Sequence, residues 1–392
     1  MRQYALITGS YWAFTLTDGA LRMLVVLYFH ELGYSPLDIA LLFLFYEIFG
    51  VVTNLFGGWI AARTGLAATL IGGLWLQVVA LAMLLVDASM LTIAYVMAAQ
   101  ALSGIAKDLN KMSAKSSVKL LVGNSEGRLY RWVAWLTGSK NALKGLGFFA
   151  GGASLSAFGF SASIAGMALG LSVIAAATLV FLDREMGKAS FKPKFSNLWS
   201  KSPPINMLSA ARLFLFGSRD VWFVVALPVF LQLEQGWSSI SVGTFLAAWI
   251  IGYGLIQALA PNITGISNDH PPDGRTALFW SLGLTAVPAM LAFAVNMQAA
   301  ASAALVIGLI LFGLIFAMNS AVHSFLIVSY ADADGISLDV GFYYMANAAG
   351  RLLGTICSGW VYQAYGISAC LAVSSLFLIA ATAISAQLPK RE

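Results

Sequence analysis

The sequence predicts an all-α integral membrane protein with twelve transmembrane helices in two pseudo-symmetric six-helix bundles. Of its 392 residues, 59% are hydrophobic and 10% are charged, and the mean hydropathy is +0.82. Soluble domains carry about 25% charged residues, so this composition excludes a soluble enzyme. Apolar runs of about 20 residues, the length that crosses a bilayer, recur along the chain. A repeat at an offset of 207 residues relates its two halves.

Glycine, proline and charged residues separate twelve apolar runs. The longest polar break divides the chain into a first bundle at 1–183, a cytoplasmic linker at 184–206 and a second bundle at 207–392. The first run lacks a small-residue cleavage site, so we interpret it as a retained span and not as a signal peptide. The predicted spans are 5–29, 37–57, 67–86, 90–110, 129–157, 161–183, 207–232, 239–260, 276–296, 300–328, 340–363 and 367–388.

The loops on one side of the predicted membrane contain no lysine or arginine, whereas the other side is basic. Positively charged loops stay in the cytoplasm, so we predict a multi-pass protein of the cytoplasmic (inner) membrane with both termini in the cytoplasm. This topology accounts for the net charge of +5 without a nucleic-acid partner. The basic side carries Arg63, Lys115, Lys119, Arg128, Arg184, Lys188, Lys192, Lys194, Lys201, Arg275, Lys390 and Arg391.

The two cysteines, Cys357 and Cys370, lie in apolar runs without a CxxC motif or a histidine cluster. Neither a zinc site nor a disulfide framework can be argued from them. We therefore predict no metal and no cofactor.

Predicted spans five and eleven share one pattern. Lys144-x-x-Gly147 corresponds to Arg351-x-x-Gly354, and the segments end in AFGFSA and AYGISA, respectively. Both spans are the fifth of their half, which is the mark of an internal repeat. The same register aligns Lys140 with Asn347.

Ionisable residues inside spans are costly and are functional candidates by default. Asp18 and Arg22 share a face of span one, and either form a neutral structural ion pair or act in function. Glu47, expected near the middle of span two, is either a proton carrier or a partner of Arg22 or a lysine.

Bases outnumber acids near the predicted membrane centre, by five (Arg22, Lys140, Lys144, Arg219, Arg351) to three (Asp18, Glu47, Asp220). The acids cannot neutralise every base, so we predict an anionic substrate. Arginine offers a planar fork to phosphate, arsenate or carboxylate oxygens, and lysine adds a point charge. Arg212, nearer the cytoplasmic end, is expected to snorkel.

We predict substrate contacts for some of these residues and charge balance or proton coupling for others. His323 is either a hydrogen-bonded packing residue or a proton relay. Lys107, Lys111 and Lys115 either anchor span four at the cytoplasmic surface or guide an anion inward. The predicted substrate-binding residues are Arg22, Lys140, Lys144, Arg219, Tyr343, Asn347 and Arg351, and the predicted proton-coupling or charge-balancing residues are Asp18, Glu47, Asp220 and His323.

Two six-helix halves of this kind resemble the major facilitator superfamily, which implies a substrate site near the midplane between the halves. The loop after span two, GWIAARTGL at 58–66, matches both glycines and the arginine of the superfamily's signature. Ala62 stands where the signature has an acid, and the trailing bases are missing. The gating charge network of the superfamily is therefore not expected in full.

Four segments within the first 60 residues carry a more specific similarity: YWAFTLTDGALRMLVVL at 11–27, LGYSP at 32–36, LFLFYE at 42–47 and GVVTNL at 50–55. With these segments, the chain as a whole resembles the ArsJ-type organoarsenical efflux transporters. This resemblance implies export of 1-arseno-3-phosphoglycerate, which glyceraldehyde-3-phosphate dehydrogenase makes in the cytosol when it uses arsenate, and hence arsenate resistance. Two separated cysteines do not offer the clustered thiolates that trivalent arsenic prefers.

We therefore predict a secondary transporter that exports an organic arsenate anion by alternating access, with a proton as the candidate coupling ion. The alternative is an exporter of another organic phosphate or anion, or of drugs, although drug exporters need fewer central cations. A membrane-embedded enzyme lacks support, because no cluster of histidine and acidic residues has suitable spacing. A receptor would need a larger soluble domain than the linker allows.

Overall fold

The computed structural model describes residues 2–34, 39, 42–122, 125–190, 194, 198, 202–264, 271–296 and 301–390, and these ranges contain helices and no strands. Lys192, Lys201 and Arg391 lie outside the described residues. The helices are α1 (Arg2–Glu31), α2 (Leu44–Thr64), α3 (Leu66–Met83), α4 (Ile93–Val122), α5 (Glu126–Phe158), α6 (Phe160–Phe181), α7 (Pro203–Phe223), α8 (Ala226–Leu233), α9 (Ser239–Ile263), α10 (Gly274–Asn296), α11 (Ala301–Tyr330) and α12 (Ile336–Ser385).

These helices correspond to the twelve predicted spans, which confirms the fold class. Helices α7 and α8 together form span seven, and the 50-residue α12 contains spans eleven and twelve. Within the described residues, nine helical segments are long and apolar enough to cross a membrane. Helices α4 and α5 are not among them, because lysines and arginines lower their mean hydropathy.

Two predicted span boundaries were wrong. Helix α4 continues to Val122, twelve residues beyond the expected end, because its lysine-rich second half remains helical. Helix α2 ends at Thr64 and not near residue 57. Gly57 and Gly58 do not end the helix but are buried within it. A Cβ on Gly58 would lie 2.4 Å from the Ser337 carbonyl oxygen, so this glycine permits close helix packing.

The internal repeat reappears in the backbone. Gly159 separates α5 from α6 with φ 76° and ψ 176°, and Gly366 interrupts α12 with φ 77° and ψ −175°. The two glycines are 207 residues apart and share a conformation that residues with a Cβ rarely adopt. Each allows an apolar helix to turn directly into the next one without a polar loop.

Span seven is interrupted between Phe223 and Ala226. The hydroxyl oxygen of Ser358 accepts hydrogen bonds from the backbone N–H groups of Val225 (3.3 Å) and Ala226 (3.1 Å). Backbone donors inside a membrane need such a partner, so a side chain of α12 compensates for the break.

The described residues form two compact units. Unit 1 comprises residues 1–124, 139–200 and 331–345, and its core includes Phe14, Leu24, Phe29, Leu74 and Ile164. Unit 2 comprises residues 125–138, 201–330 and 346–392, and its core is rich in aromatic rings, among them Trp222, Trp249, Phe312 and Phe316. The division of the chain into bundles at 1–183 and 207–392, with a linker between them, stays a prediction.

The first residues of the linker belong to unit 1, and hydrogen bonds hold them to its other segments. The Ala189 N–H donates to the Ala62 carbonyl over 2.9 Å, so the residue that replaces the expected acid holds the linker through its backbone. The Ser190 N–H donates to Oδ1 of Asp334 over 2.8 Å, and the Ser190 hydroxyl donates to Oδ2. These two donors hold the pKa of the Asp334 carboxyl below its ordinary value.

Candidate functional site: paired acids and bases in each unit

Asp18 is the buried acid of the first cluster in unit 1. Its Oδ1 accepts a hydrogen bond from the Tyr46 hydroxyl over 2.6 Å, and its Oδ2 lies 3.6 Å from Lys144 Nζ. Helices α1 and α5 approach closely here, since a Cβ on Gly147 would lie 3.1 Å from the Gly19 Cα. The close crossing of two glycines brings the carboxylate and the ammonium together.

Arg22 and Glu47 form a second ion pair in unit 1, at 3.4 Å. The Arg22 guanidinium also lies over the rings of Tyr46 (4.5 Å) and Phe43 (5.1 Å). Glu47 lies in the first turn of α2, and the start of the predicted span at residue 37 lies outside the described residues. Of the two interpretations of Glu47, pairing with Arg22 is the one for which the structure gives a contact.

Asp108 is a third acid in unit 1, and it lies between two lysines of α4. Lys111 Nζ is 2.5 Å from Oδ1, and Lys107 Nζ is 3.6 Å from Oδ2. Lys107 Nζ also lies 3.9 Å from the centre of the Tyr46 ring, and Lys111 Nζ lies 4.4 Å from that of Tyr344. These lysines were not among the predicted substrate-binding residues. Their spacing of one helical turn was the feature of the sequence that could have identified them as a cluster.

Asp220 organises the charged groups of unit 2. Its Oδ1 accepts from Arg219 Nε over 2.7 Å, and its Oδ2 accepts from Arg351 Nε over 3.0 Å. The carboxylate is fully buried, whereas the Arg351 side chain is 32% accessible and that of Arg219 is 15% accessible. One buried acid therefore pairs with two arginines that are each partly accessible.

Arg212 is buried in unit 2, so the expectation that it snorkels was wrong. Its Nε donates to the Asn347 side-chain oxygen over 2.9 Å, and its Nη1 donates to the Ser320 hydroxyl over 3.2 Å. The guanidinium lies 3.8 Å from the centre of the Phe216 ring. These contacts replace the water that a snorkelling arginine would reach. Asn347 was predicted to bind the substrate, and in the structure its side-chain oxygen accepts the hydrogen bond from Arg212.

The structure gives other contacts or environments for three further predicted residues. Lys140 Nζ donates to the side chain of Asn141 over 3.3 Å. Tyr343 is fully buried in unit 1 and packs edge-on against Tyr344. His323 is fully buried in unit 2, and no protein group accepts from or donates to its ring nitrogens within the described residues.

In both units the acid lies deeper than the bases that it holds. Asp18 and Asp220 are buried, while Lys144, Arg219 and Arg351 are each partly accessible. Buried carboxylates position the bases, and guanidinium and ammonium donors are suited to oxyanions. No group of three or more histidine, cysteine or acidic residues with metal-binding geometry occurs in the described part of the chain.

A family model described as Major Facilitator Superfamily matches residues 7–270. The chain belongs to the major facilitator superfamily. Members of this superfamily are transporters of small molecules and not enzymes, so this chain is a multi-pass membrane transporter of a small-molecule substrate. A comparison with curated protein sequences gives no match.

Solved structures of other major facilitator transporters share this fold. The E. coli fucose:proton symporter FucP superposes with a TM-score of 0.76 at 12% identity, over 100% of this chain and 99% of that chain. The human organic anion transporter MFSD10 gives 0.76 at 16% identity, over 97% and 99%. A bacterial homologue of the iron transporter ferroportin gives 0.74 at 13% identity, over 99% of both chains.

Proposed function

We propose that the chain exports an organic arsenate anion, 1-arseno-3-phosphoglycerate, across the cytoplasmic membrane by alternating access and thereby confers arsenate resistance. The observation that carries this proposal is the arrangement of Asp220, Arg219 and Arg351, in which one buried acid holds two accessible arginines. Asp18 and Lys144 form the related pair of unit 1. Such bases are suited to a substrate rich in oxyanion oxygens.

The chemistry of the bases favours phosphate, arsenate and carboxylate groups. A guanidinium binds two oxygens at once, and a charge-assisted hydrogen bond is about twice as strong as a neutral one. When an oxyanion binds Arg351 or Lys144, it competes with the carboxylate that holds the base in the empty transporter. The base then exchanges its carboxylate partner for the oxyanion of the substrate, so its own charge stays paired during binding.

The same exchange offers a route to proton coupling. A carboxylate that loses its cation inside the membrane is stabilised by taking up a proton. Asp18 and Asp220 are therefore candidate coupling groups, with Glu47 and His323 as further candidates. Proton antiport is the form of coupling that we propose for export.

The choice of an arsenate ester rests on the resemblance of residues 11–55 to the ArsJ-type transporters. In this proposal cytosolic glyceraldehyde-3-phosphate dehydrogenase makes the substrate, and both termini of the transporter lie in the cytoplasm. MFSD10, which shares this fold, is an organic anion transporter, and this is in keeping with an anionic substrate. The cations themselves bind a phosphate ester equally well, so export of another organic phosphate is the second candidate.

The test is uptake into everted membrane vesicles, with the arsenate ester generated in place by the dehydrogenase. We expect accumulation that requires arsenate and does not occur when phosphate replaces it. An imposed pH gradient should change the rate of accumulation if a proton is the coupling ion. Uptake of the phosphate ester at the same rate would favour the second candidate.

Arg351→Ala and Lys144→Ala should abolish arsenate resistance in cells, because each removes a proposed oxyanion ligand. The matched control is Lys188→Ala, which removes an exposed lysine of the linker. Immunoblots of membrane fractions should show equal amounts of the three proteins. Wild-type resistance in both site variants at matched expression would refute the role of these bases.

A further inference from the structure

The lysines of α4 form a cationic cluster that the proposed function does not use. Lys107 and Lys111 contact the two oxygens of the single carboxylate of Asp108. The carboxylate is 2% accessible, whereas the lysine side chains are 15% and 14% accessible. The acid therefore lies behind the two ammonium groups, and one positive charge of the three residues is not balanced within the group.

Aromatic rings hold both ammonium groups in place. Lys107 Nζ is 3.9 Å from the centre of the Tyr46 ring, and Lys111 Nζ is 4.4 Å from that of Tyr344. A cation–π contact positions an ammonium without neutralising its charge. An ammonium has three N–H donors, so one lysine can bind more than one acceptor.

Tyr46 connects this cluster with the Asp18 cluster. The Arg22 guanidinium lies 4.5 Å from the centre of the same ring that Lys107 contacts, and the Tyr46 hydroxyl donates to Asp18. The ion pairs form three groups, Arg22 with Glu47, Lys144 with Asp18, and Lys107 and Lys111 with Asp108, and Tyr46 contacts a member of each group. A single ligand with two anionic groups could therefore reach both clusters within unit 1.

We propose that Lys107 and Lys111 form a second anion subsite in unit 1, which binds the second anionic group of a small organic bis-anion. The first anionic group is bound by Arg22 and Lys144, and Tyr46 lies between the two subsites. The ligand class is a phosphoryl or arsenoryl ester that also carries a carboxylate or a second oxyanion. This inference rests on the proposed function only for the binding of an anion at Arg22 and Lys144.

The geometry distinguishes this subsite from a surface anchor. Lysines that anchor a helix at the membrane surface extend their ammonium groups into water or the headgroup layer. Lys188 of the linker is such an exposed lysine, with 52% of its side chain accessible. Lys107 and Lys111 instead keep their ammonium groups against buried aromatic rings and a buried acid.

The experiment measures binding to the purified full chain in detergent by calorimetry, with two probes. Inorganic phosphate carries one anionic group, and 3-phosphoglycerate carries a phosphate and a carboxylate. We expect wild-type protein to bind 3-phosphoglycerate at least about ten-fold more tightly than inorganic phosphate. Lys107→Gln and Lys111→Gln should remove this preference, while their affinity for inorganic phosphate changes by less than about two-fold.

The controls separate charge from folding. Lys111→Arg keeps the positive charge and should retain most of the preference, and Lys188→Gln should retain all of it. Unfolding midpoints establish that each variant is folded, and Lys107→Gln provides the test if Lys111→Gln is not folded. Equal loss of affinity for both probes in the glutamine variants, an unchanged preference, or no measurable binding of either probe to wild-type protein overturns the subsite.

Failure of the subsite and failure of the proposed function give different results. If the wild-type preference disappears in the glutamine variants but vesicles do not accumulate the arsenate ester, the subsite stands and the proposed substrate is wrong. If vesicles accumulate the ester but the glutamine variants keep the preference, export stands and the subsite is wrong.

Discussion

Arg351 donates its Nε–H to Oδ2 of Asp220 over 3.0 Å and thereby joins α12 to α7. The residue that corresponds to Arg351 in the repeat, Lys144, pairs with Asp18 at 3.6 Å and joins α5 to α1. Spans five and eleven therefore hold their cations by the same means, against an acid on the first span of the same half. This relationship makes the two acids the first residues to test.

Asp220→Asn should destabilise the protein, because it leaves Arg219 and Arg351 without the carboxylate between them. Removing one partner of a buried ion pair costs about 3–5 kcal/mol, and we expect the lower end since Arg351 is one-third accessible. Thermal unfolding of the purified protein measures the effect. Glu185→Gln is the control, because its pair with Lys188 is exposed and its loss should cost less than about 0.5 kcal/mol. Equal effects of the two changes would contradict the bridging role of Asp220.

Asp18 and Lys144 should show energetic coupling in a double-mutant cycle. Asp18→Asn leaves a partly buried ammonium without its acid, and Lys144→Met leaves a buried carboxylate without its base. The double variant removes both charges, so it should be more stable than the sum of the single effects predicts, by about 1–3 kcal/mol. Unfolding midpoints of the four proteins provide the coupling energy. Additive effects would show that the two residues do not interact.

Gly354→Ala should destabilise the crossing of α7 and α12. A Cβ at this position would lie 2.5 Å from the Gly217 carbonyl oxygen and 3.0 Å from the Asp220 Cβ, so the helices would have to separate. Overpacking of this kind costs about 1–3 kcal/mol. Gly359→Ala is the matched control on the same helix, because nothing lies within 4 Å of its added Cβ. Unfolding midpoints should fall for Gly354→Ala and stay level or rise slightly for Gly359→Ala.

The sequence predicted the helices better than the partners of their side chains. Hydropathy located the nine apolar segments of the described residues, because apolar length is a property of each segment by itself. The repeat marked Gly159 and Gly366 as equivalent positions. Both have a positive φ, which favours glycine in each half. The end of α4 could not be predicted, because lysines form helices as readily as apolar residues do and the hydropathy falls before the helix ends.

The site could be predicted as a set of residue types but not as a set of pairs. Composition along the spans identified Asp18, Lys144, Asp220 and Arg351 from the cost of burying charge. It could not show that Arg22 pairs with Glu47 on another helix, because that depends on packing. The importance of Tyr46 was likewise not predictable, since an aromatic residue beside an acid has no distinctive spacing.

Asp334 makes the linker contact sensitive to acid. Hydrogen bonds from Ser190 lower the pKa of the Asp334 carboxyl below its ordinary value of 3.8. A group with a lowered folded-state pKa stabilises the protein above its ordinary pKa, and this contribution is lost as the pH falls through the folded-state value. Asp334→Ala should therefore be less stable than wild-type protein at pH 7, and the difference should shrink below pH 3.8 and disappear once the pH is below the folded-state pKa. Unfolding midpoints measured across this range provide the check. A difference that grows in acid would contradict the hydrogen-bonded carboxylate.

Arg212→Lys should destabilise unit 2 even though it conserves the charge. The guanidinium donates to both Asn347 and Ser320 and lies 3.8 Å from the centre of the Phe216 ring, whereas an ammonium is a point charge without the planar fork. Loss of hydrogen bonds from a buried charged group costs about 1.5–3 kcal/mol. Arg63→Lys is the matched control, because Arg63 also lies over an aromatic ring, that of Trp59, but is exposed. Thermal unfolding should show a clear loss for Arg212→Lys and a change below about 0.5 kcal/mol for Arg63→Lys. If Arg212 extended to the membrane surface, as its position in the sequence suggested, the two variants would behave alike.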